Sequence, residues 1–302
     1  MRACFLRERL LLALGWTAAL GTLLSLAGLV LFLLARGLPA VNLRLFFGST
    51  PPLDAILAVR PVWGGVWPAA AGTLFLLAVT MSLALAPGLA CGVYLACFAG
   101  PGERDWIGGC VDVLAGVPSI VMGLFGLQLI ILLRRTFLPQ GTTCLLLAAF
   151  CLAVLVLPVL VTSVRAALEA LPQGLTLTAS ALGMTRGQAV LRLLLPAAAP
   201  GVLGGVILAM GRAMEDTAVI MLTGAVANAG LPAGLTSKFE ALPFKVYYTA
   251  AQYSGPEELA QGFGTASVLL LLSAALILGA RALQGRLTRR WRGAAGRGGI
   301  GL

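Results

Sequence analysis

Three charged residues, Arg212, Glu215 and Asp216, interrupt the apolar stretch of residues 201–223 (GVLGGVILAMGRAMEDTAVIMLT). At about 100° per residue, a continuous helix places both carboxylates beside Arg212, so that all three side chains share one face. Ionisable side chains inside a membrane span are costly and usually face a cavity or the interior of a helix bundle. Two interpretations follow: a structural ion cluster that neutralises itself, or a site on the path of a transported solute.

Other kinds of chemistry are not expected from this chain. It contains no His, which excludes imidazole bases, Ser-His-Asp triads and His-ligated metal sites. Its six Cys form no C-x-x-C pair, so they predict neither a disulfide framework nor a thiolate metal site. The P-loop pattern G-x-x-x-x-G-K-[ST] is absent from the sequence. We therefore expect no catalytic residue, no metal site and no cofactor in this chain, and any ATP to bind a partner subunit.

The composition indicates a membrane protein. The chain has 302 residues, of which 59% are hydrophobic and 11% charged, with a mean hydropathy of +0.98. Soluble domains are about 45–50% apolar and about 25% charged. The net charge of +10 is explained by basic residues that set membrane orientation. We expect contact with membrane lipid and no binding of nucleic acid.

Six apolar runs predict an all-α, polytopic fold with six transmembrane helices. The runs are about 10–35, 70–98, 113–133, 142–164, 201–223 and 264–280, and Pro118 interrupts the third. They divide the chain into an N-terminal helix and external loop (1–69), a five-helix core (70–285) and a basic tail (286–302). Arg281 follows the last apolar run, and we expect it to lie on the cytoplasmic side together with the tail.

The distribution of Arg and Lys predicts the orientation. If the N-terminus is inside, the inside segments carry more basic residues than the outside segments. Both termini are then cytoplasmic. The polar segment 165–200, which reads as short helices in water, also lies in the cytoplasm.

This polar segment resembles the coupling loop of binding-protein-dependent ABC importer permeases, which docks on an ATPase and carries the pattern Glu-Ala-Ala followed by Gly and by Ile-x-Leu-Pro. Leu177 and Thr178 depart from the opening triplet. The resemblance implies ATPase coupling through the matching positions, which are Ala179, Gly183, Leu193, Leu195 and Pro196.

Further segments are similar to phosphate-specific importer permeases. These are VDVLAGVPSIVMGLFGL (111–127), GRAMEDTAVIMLTG (211–224) and, for the PstA-type subunit, ALPFKVYY (241–248). The resemblance covers about residues 70–280 and implies the type I importer permease fold (MetI-like). It also implies that Arg212 and Glu215 lie in the translocation path, with Arg212 near the anion. We expect the two carboxylates either to hold the guanidinium or to pair with a partner subunit.

The resemblance implies four partners besides lipid: a homologous permease (PstC-type), an ATPase dimer (PstB-type), an extracytoplasmic binding protein (PstS-type) and inorganic phosphate as the solute. Two alternatives remain open at this point. One is a permease for another oxyanion such as molybdate or phosphonate. The other is a secondary transporter in which Glu215 and Asp216 relay protons.

Overall fold

A computed structural model describes residues 2–56, 62, 64–136 and 139–297, with side chains from residue 9 to residue 286 within those ranges. In this part of the chain the regular structure is helical, apart from one isolated bridge between Ala225 and Phe239. The helices are α1 (Arg2–Gly37), α2 (Leu43–Phe47), α3 (Pro52–Ile56), α4 (Trp67–Cys97), α5 (Pro101–Ala115), α6 (Ser119–Thr136), α7 (Leu145–Glu169), α8 (Gln173–Ala181), α9 (Arg186–Ala189), α10 (Leu195–Glu215), α11 (Ala218–Thr223), α12 (Leu242–Gln252) and α13 (Pro256–Arg297).

Six helical stretches among the described residues are long and apolar enough to cross a membrane, which confirms the predicted number of spans. They are Arg9–Ala40, Trp67–Cys97, Ser119–Thr136, Leu145–Glu169, Arg186–Glu215 and Pro256–Arg286. The external loop predicted before residue 70 contains the short helices α2 and α3, although residues 57–61 and 63 lie outside the described residues. Residues 298–302 of the predicted basic tail also lie outside them.

The bounds of three predicted spans are wrong. The third span does not begin near residue 113, because the chain leaves the helix at Gly116 and α6 begins only after Pro118; a residue before Pro is disfavoured in the helical region. The fifth begins earlier, since a π-helical turn (Val190–Leu194) joins α9 to α10, and it ends at Glu215 rather than at residue 223. The sixth is Pro256–Arg286, which begins before residue 264 and continues beyond residue 280 within the longer helix α13.

Helix α7 forms the centre of the bundle and is the most deeply buried of the spans. Helix α4 packs along it through glycines, since a β-carbon at Gly88 would lie 2.8 Å from Leu160 and one at Gly92 would lie 2.6 Å from Val164. Such small residues let helix backbones approach closely in a membrane, where packing is the main attraction between helices.

The bundle has two ends, which we call upper and lower. The lower end carries residues 170–194, between α7 and α10. The upper end carries residues 224–241, and there the start of α7 is tied down by backbone bonds from the N–H groups of Leu145 and Leu146 to the carbonyls of Ser237 and Leu235. Residues 224–241 are thus attached to the start of α7 at the upper end.

Candidate functional site

Helix α10, which carries Arg212, is held against α7 by glycines. A β-carbon added at Gly201 would lie 2.6 Å from the β-carbon of Ala167, and one added at Gly205 would overlap the side chain of Ser163. Because Gly201 faces the later residue of α7 and Gly205 the earlier one, the two helices run antiparallel in a matched register.

This register places Arg212 near the middle of the bundle. When the register is continued from Gly205 for about two turns, Arg212 is level with Val156, which lies in the central part of α7 (Leu145–Glu169). Val156 and Ala213 indeed belong to the same buried cluster. A permanently charged side chain therefore lies at mid-depth in a helix bundle that is long and apolar enough to cross a membrane.

Helix α10 has one packed face and one open face. Gly204, Leu208, Arg212 and Glu215 follow one another at helical spacing, and all four are half-buried or exposed. On a face about 100° around the helix, Gly205, Ala209 and Ala213 are buried against α7, because they follow the same spacing shifted by one residue. Arg212 and Glu215 therefore share the open face, as the sequence predicts.

Asp216 does not share this face. Helix α10 ends at Glu215, and Asp216 has an extended backbone conformation. Its side chain is buried, and Oδ1 accepts a hydrogen bond from the backbone N–H of Val219 at 2.8 Å. The prediction of three charges on one continuous helix is therefore wrong for Asp216. An Asp that caps the next helical segment stops the helix before it.

The open face of α10 and helix α13 line a cavity of about 540 Å³ that is open on one side. Three aliphatic side chains line it together with six other residues: Gly204, Gly211, Arg212, Glu215, Arg281 and Gln284. The sequence did not identify Arg281 as a site residue, because it was placed on the cytoplasmic side, just beyond the last predicted span. The usable signal was its position directly after an apolar run and three residues before Gln284, on the same face of a helix.

The electrostatics of this cavity leave Arg212 available. Among the described residues, no carboxylate lies within 4.0 Å of its guanidinium, and no hydrogen bond occupies it. Glu215, three residues further along, is likewise exposed and without an ion pair in the described part of the chain. The predicted internal pairing of Arg212 with its neighbouring carboxylates is therefore not formed. A free guanidinium offers a planar fork of donors that fits an oxyanion.

The second candidate site is the segment at the lower end. Helix α8 ends in a Schellman motif, in which Gly183 N–H bonds to the carbonyl of Ser180 and Met184 N–H bonds to that of Ala179. Gly183 has φ +67°, a conformation that favours Gly. Ala179 is buried beneath the motif. Thr185 then begins α9 with a capping box to Gln188.

Large apolar side chains project from this segment. Leu177, Leu182 and Leu191 are each about 70% exposed, at 71%, 67% and 69%. Leu193, Leu195 and Pro196, which match the end of the coupling pattern, are half-buried. Exposed apolar residues on a structured segment are candidates for contact with another protein or with lipid.

Charged residues connect the lower ends of α4, α5 and α7. Glu169 Oε1 pairs with Arg104 at 3.2 Å and with Arg165 at 2.9 Å, and Arg104 also donates to the carbonyl of Leu95 at the end of α4. These contacts fix the helix from which residues 170–194 depart.

The same end contains Glu103, outside the spans. Its carboxylate accepts hydrogen bonds from the hydroxyl of Tyr94, at 2.8 Å, and from the backbone N–H of Gly100. Both bonds favour the charged form, and they lower the pKa of Glu103 below its usual value.

Comparison with known proteins identifies relatives of this chain. The family of binding-protein-dependent transport system inner membrane components matches residues 88–293. The chain is 31% identical to the phosphate transport system permease protein PstA 1 of Mycobacterium tuberculosis, over 92% of this chain and 87% of that protein. It is 29% identical to PstA of Haemophilus influenzae, over 81% and 82%. A probable ABC transporter permease of Bacillus subtilis, YqgI, is 31% identical over 66% of this chain and 64% of that protein.

Solved structures of ABC transporters share the fold, two of them as follows. One is a bacterial ABC transporter involved in the import of the acidic polysaccharide alginate, with a TM-score of 0.60 and 14% identity over 90% of this chain and 97% of that one. The other is the MetNI methionine ABC transporter in an inward-facing conformation, with a TM-score of 0.53 and 19% identity over 79% and 99%. The predicted all-α, MetI-like permease fold is confirmed.

Proposed function

Since the chain belongs to the family of binding-protein-dependent transport system inner membrane components, we propose that it is the transmembrane permease subunit of an ATP-driven importer of inorganic phosphate. The names of the PstA relatives suggest the solute. The observation that carries the proposal is Arg212, a cation on the open face of α10 at mid-depth, with no carboxylate partner among the described residues.

The chemistry of Arg212 suits a phosphate anion. An Arg guanidinium is a planar cation that can donate two parallel hydrogen bonds to phosphate oxygens. Glu215 lies one turn away on the same face, towards the upper end. Its negative charge limits the affinity for an anion, and a transport site must bind weakly enough to release the solute.

Because the cavity is open on one side, a second subunit is needed to complete it. The cavity beside Arg212 is walled by α10 and α13 and is open on its remaining side. A path for an anion across a membrane has to be closed off from lipid on all sides, because exposing a charge to hydrocarbon is very costly. A homologous permease of the PstC type would supply the missing wall.

The lower end suits a motor subunit. We assign it to the cytoplasm and its exposed leucines to contact with a PstB-type ATPase dimer. The segment is mechanically connected to the anion site, since α9, the π-helical turn and α10 form one uninterrupted helical stretch, Arg186–Glu215. A displacement of residues 183–196 by the ATPase would therefore tilt the helix that carries Arg212, which is a physical route to alternating access. The upper end then receives a PstS-type binding protein.

Reconstitution tests this proposal. The chain would be assembled with the homologous permease, ATPase dimer and binding protein in proteoliposomes, and uptake of radiolabelled phosphate measured with and without ATP. We expect ATP-dependent uptake that excess molybdate or phosphonate does not inhibit. Inhibition by one of these anions at equal concentration would assign the importer to that anion. Uptake that follows an imposed proton gradient without the ATPase would replace the proposal by a secondary transporter.

A further inference from the structure

A second Arg lies in the cavity that contains Arg212. Arg281 belongs to α13 and lines the same 540 Å³ space, opposite α10. Its side chain is exposed to that space, and among the described residues no carboxylate lies within 4.0 Å of it. The sequence pattern alone assigns this residue to a basic tail outside the membrane, where it would only influence orientation.

The packing of α13 on α10 defines the depth of Arg281. A β-carbon at Gly211 would lie 3.7 Å from Ile277, and one at Gly204 would lie 3.7 Å from Nε2 of Gln284. The helices are therefore antiparallel, and the register sets Arg281 level with Ile207, about five residues or 7 Å below Arg212. Arg281 thus lies level with the spans rather than beyond them, on the lower side of Arg212, and faces the cavity.

The charged groups of the cavity are ordered along its axis. From the upper end to the lower end they are Glu215, Arg212 and Arg281. Gln284 follows, and its amide donates to the carbonyl of Pro200, which ties α13 to the lower part of α10. An anion that moves from the upper to the lower end therefore passes a carboxylate first and then meets two guanidinium groups in succession.

We propose that Arg281 is a second binding residue for a phosphate group, one that takes over the anion from Arg212 on its way to the lower end. This inference rests on the proposed function. A lone Arg at mid-depth would hold the anion at a single site, whereas two Arg residues whose positions differ by about 7 Å along the helix axis divide the passage into two shorter steps. Several weak sites in series allow both entry and release.

The experiment measures uptake of radiolabelled inorganic phosphate by the complete reconstituted importer carrying Arg281→Gln, Arg281→Lys or the control Arg286→Gln. Arg286 lies on α13 but does not line the cavity. We expect the maximal rate to fall about tenfold in Arg281→Gln, the loss of one charge-assisted hydrogen-bonding group. The phosphate concentration that gives half-maximal uptake should not change, because the binding protein sets it. Arg281→Lys should retain most of the rate, and Arg286→Gln all of it.

The outcomes separate this inference from the proposed function. If Arg281→Gln transports as fast as Arg286→Gln in an importer that does carry phosphate, the second site is refuted and the function stands. If the unmodified importer carries no phosphate, the function itself fails. Assembly of each variant, checked by size-exclusion chromatography, must match the unmodified complex; an Arg281→Gln complex that falls apart would show a structural residue and refute the binding role.

A lipid phosphate could occupy the same guanidinium groups, so the assay has a second arm. Uptake is compared in vesicles of phosphatidylcholine alone and in vesicles with added phosphatidylglycerol. The transported anion predicts the same loss for Arg281→Gln in both. A loss confined to the vesicles with phosphatidylglycerol would identify an anionic headgroup as the occupant and overturn the proposal.

Discussion

Gly205 of α10 lies so close to Ser163 of α7 that a β-carbon at position 205 would overlap the serine side chain. The preceding residue, Gly204, faces the cavity instead, and an added β-carbon there would have no atom nearer than 3.7 Å. The two adjacent glycines mark the packed face and the open face of α10. The rotation of the helix, and with it the exposure of Arg212, follows from this contact.

These two glycines predict opposite effects of one substitution. Gly205→Ala should lower the free energy of unfolding by about 1–3 kcal/mol, because the new methyl group forces α10 away from Ser163. Gly204→Ala should be neutral, or stabilising by up to about 1 kcal/mol, since Ala is the better helix former. Thermal unfolding of the purified subunit in detergent measures both. Equal destabilisation by the two variants would show that α10 is not oriented as described.

Arg212→Gln should abolish most phosphate uptake while leaving the complex assembled. The side chain has no partner to lose among the described residues, so its removal leaves no buried charge unpaired, and the loss should fall on transport: about tenfold or more for one charge-assisted contact. Arg212→Lys keeps the charge but loses the planar fork and should have intermediate activity. Uptake by proteoliposomes at the unmodified rate would remove Arg212 from the path.

Gly183→Ala should impair coupling. With φ +67° the position carries a left-handed conformation that costs a residue with a side chain roughly 1–2 kcal/mol, so the end of α8 would shift. The control is Gly187→Ala, a neighbouring exposed Gly within α9 that also has open space around it. We expect less phosphate transported per ATP hydrolysed for Gly183→Ala only. The same ratio for both variants would contradict a role for this turn.

Tyr94→Phe should change how stability depends on pH. In the folded chain the Tyr94 hydroxyl and the Gly100 N–H lower the pKa of Glu103. A carboxyl whose pKa is lowered by folding stabilises the protein above its unfolded pKa, and this contribution is lost as the pH falls through the folded value. The difference in melting temperature between the unmodified chain and Tyr94→Phe should thus be present at neutral pH and disappear on acidification. In a Glu103→Ala background, the difference should show no such pH dependence.

The number and type of the spans were predictable from the sequence, because apolar runs of this length have few other uses. Their ends were not, for local reasons. Helix α6 begins only after Pro118, and α10 ends where Asp216 caps the following segment. The first end is set by the steric restriction that Pro places on the residue before it, and the second by a single hydrogen bond. Hydropathy is insensitive to both.

The segment proposed to contact the ATPase could be located by its resemblance to a coupling loop, and the structure supplies the reason for one of its residues. Gly183 is at the left-handed position of a Schellman motif. The outward direction of Leu177, Leu182 and Leu191 could not be predicted, since an apolar residue in a short helix packs inward or outward according to its neighbours.

The sequence by itself determined that this is a six-span membrane protein with an Arg and a Glu on one helix face, because composition and helical periodicity are local properties of the chain. Only the tertiary structure decided that Asp216 turns away from Arg212 and that Arg281 lies in the same cavity. Those two results depend on where α10 ends and on how α13 is aligned against it. The first is set by the hydrogen bond from the Val219 N–H to Asp216 and by the burial of that side chain, and the second by contacts between helices far apart in the sequence, such as Gly211 with Ile277.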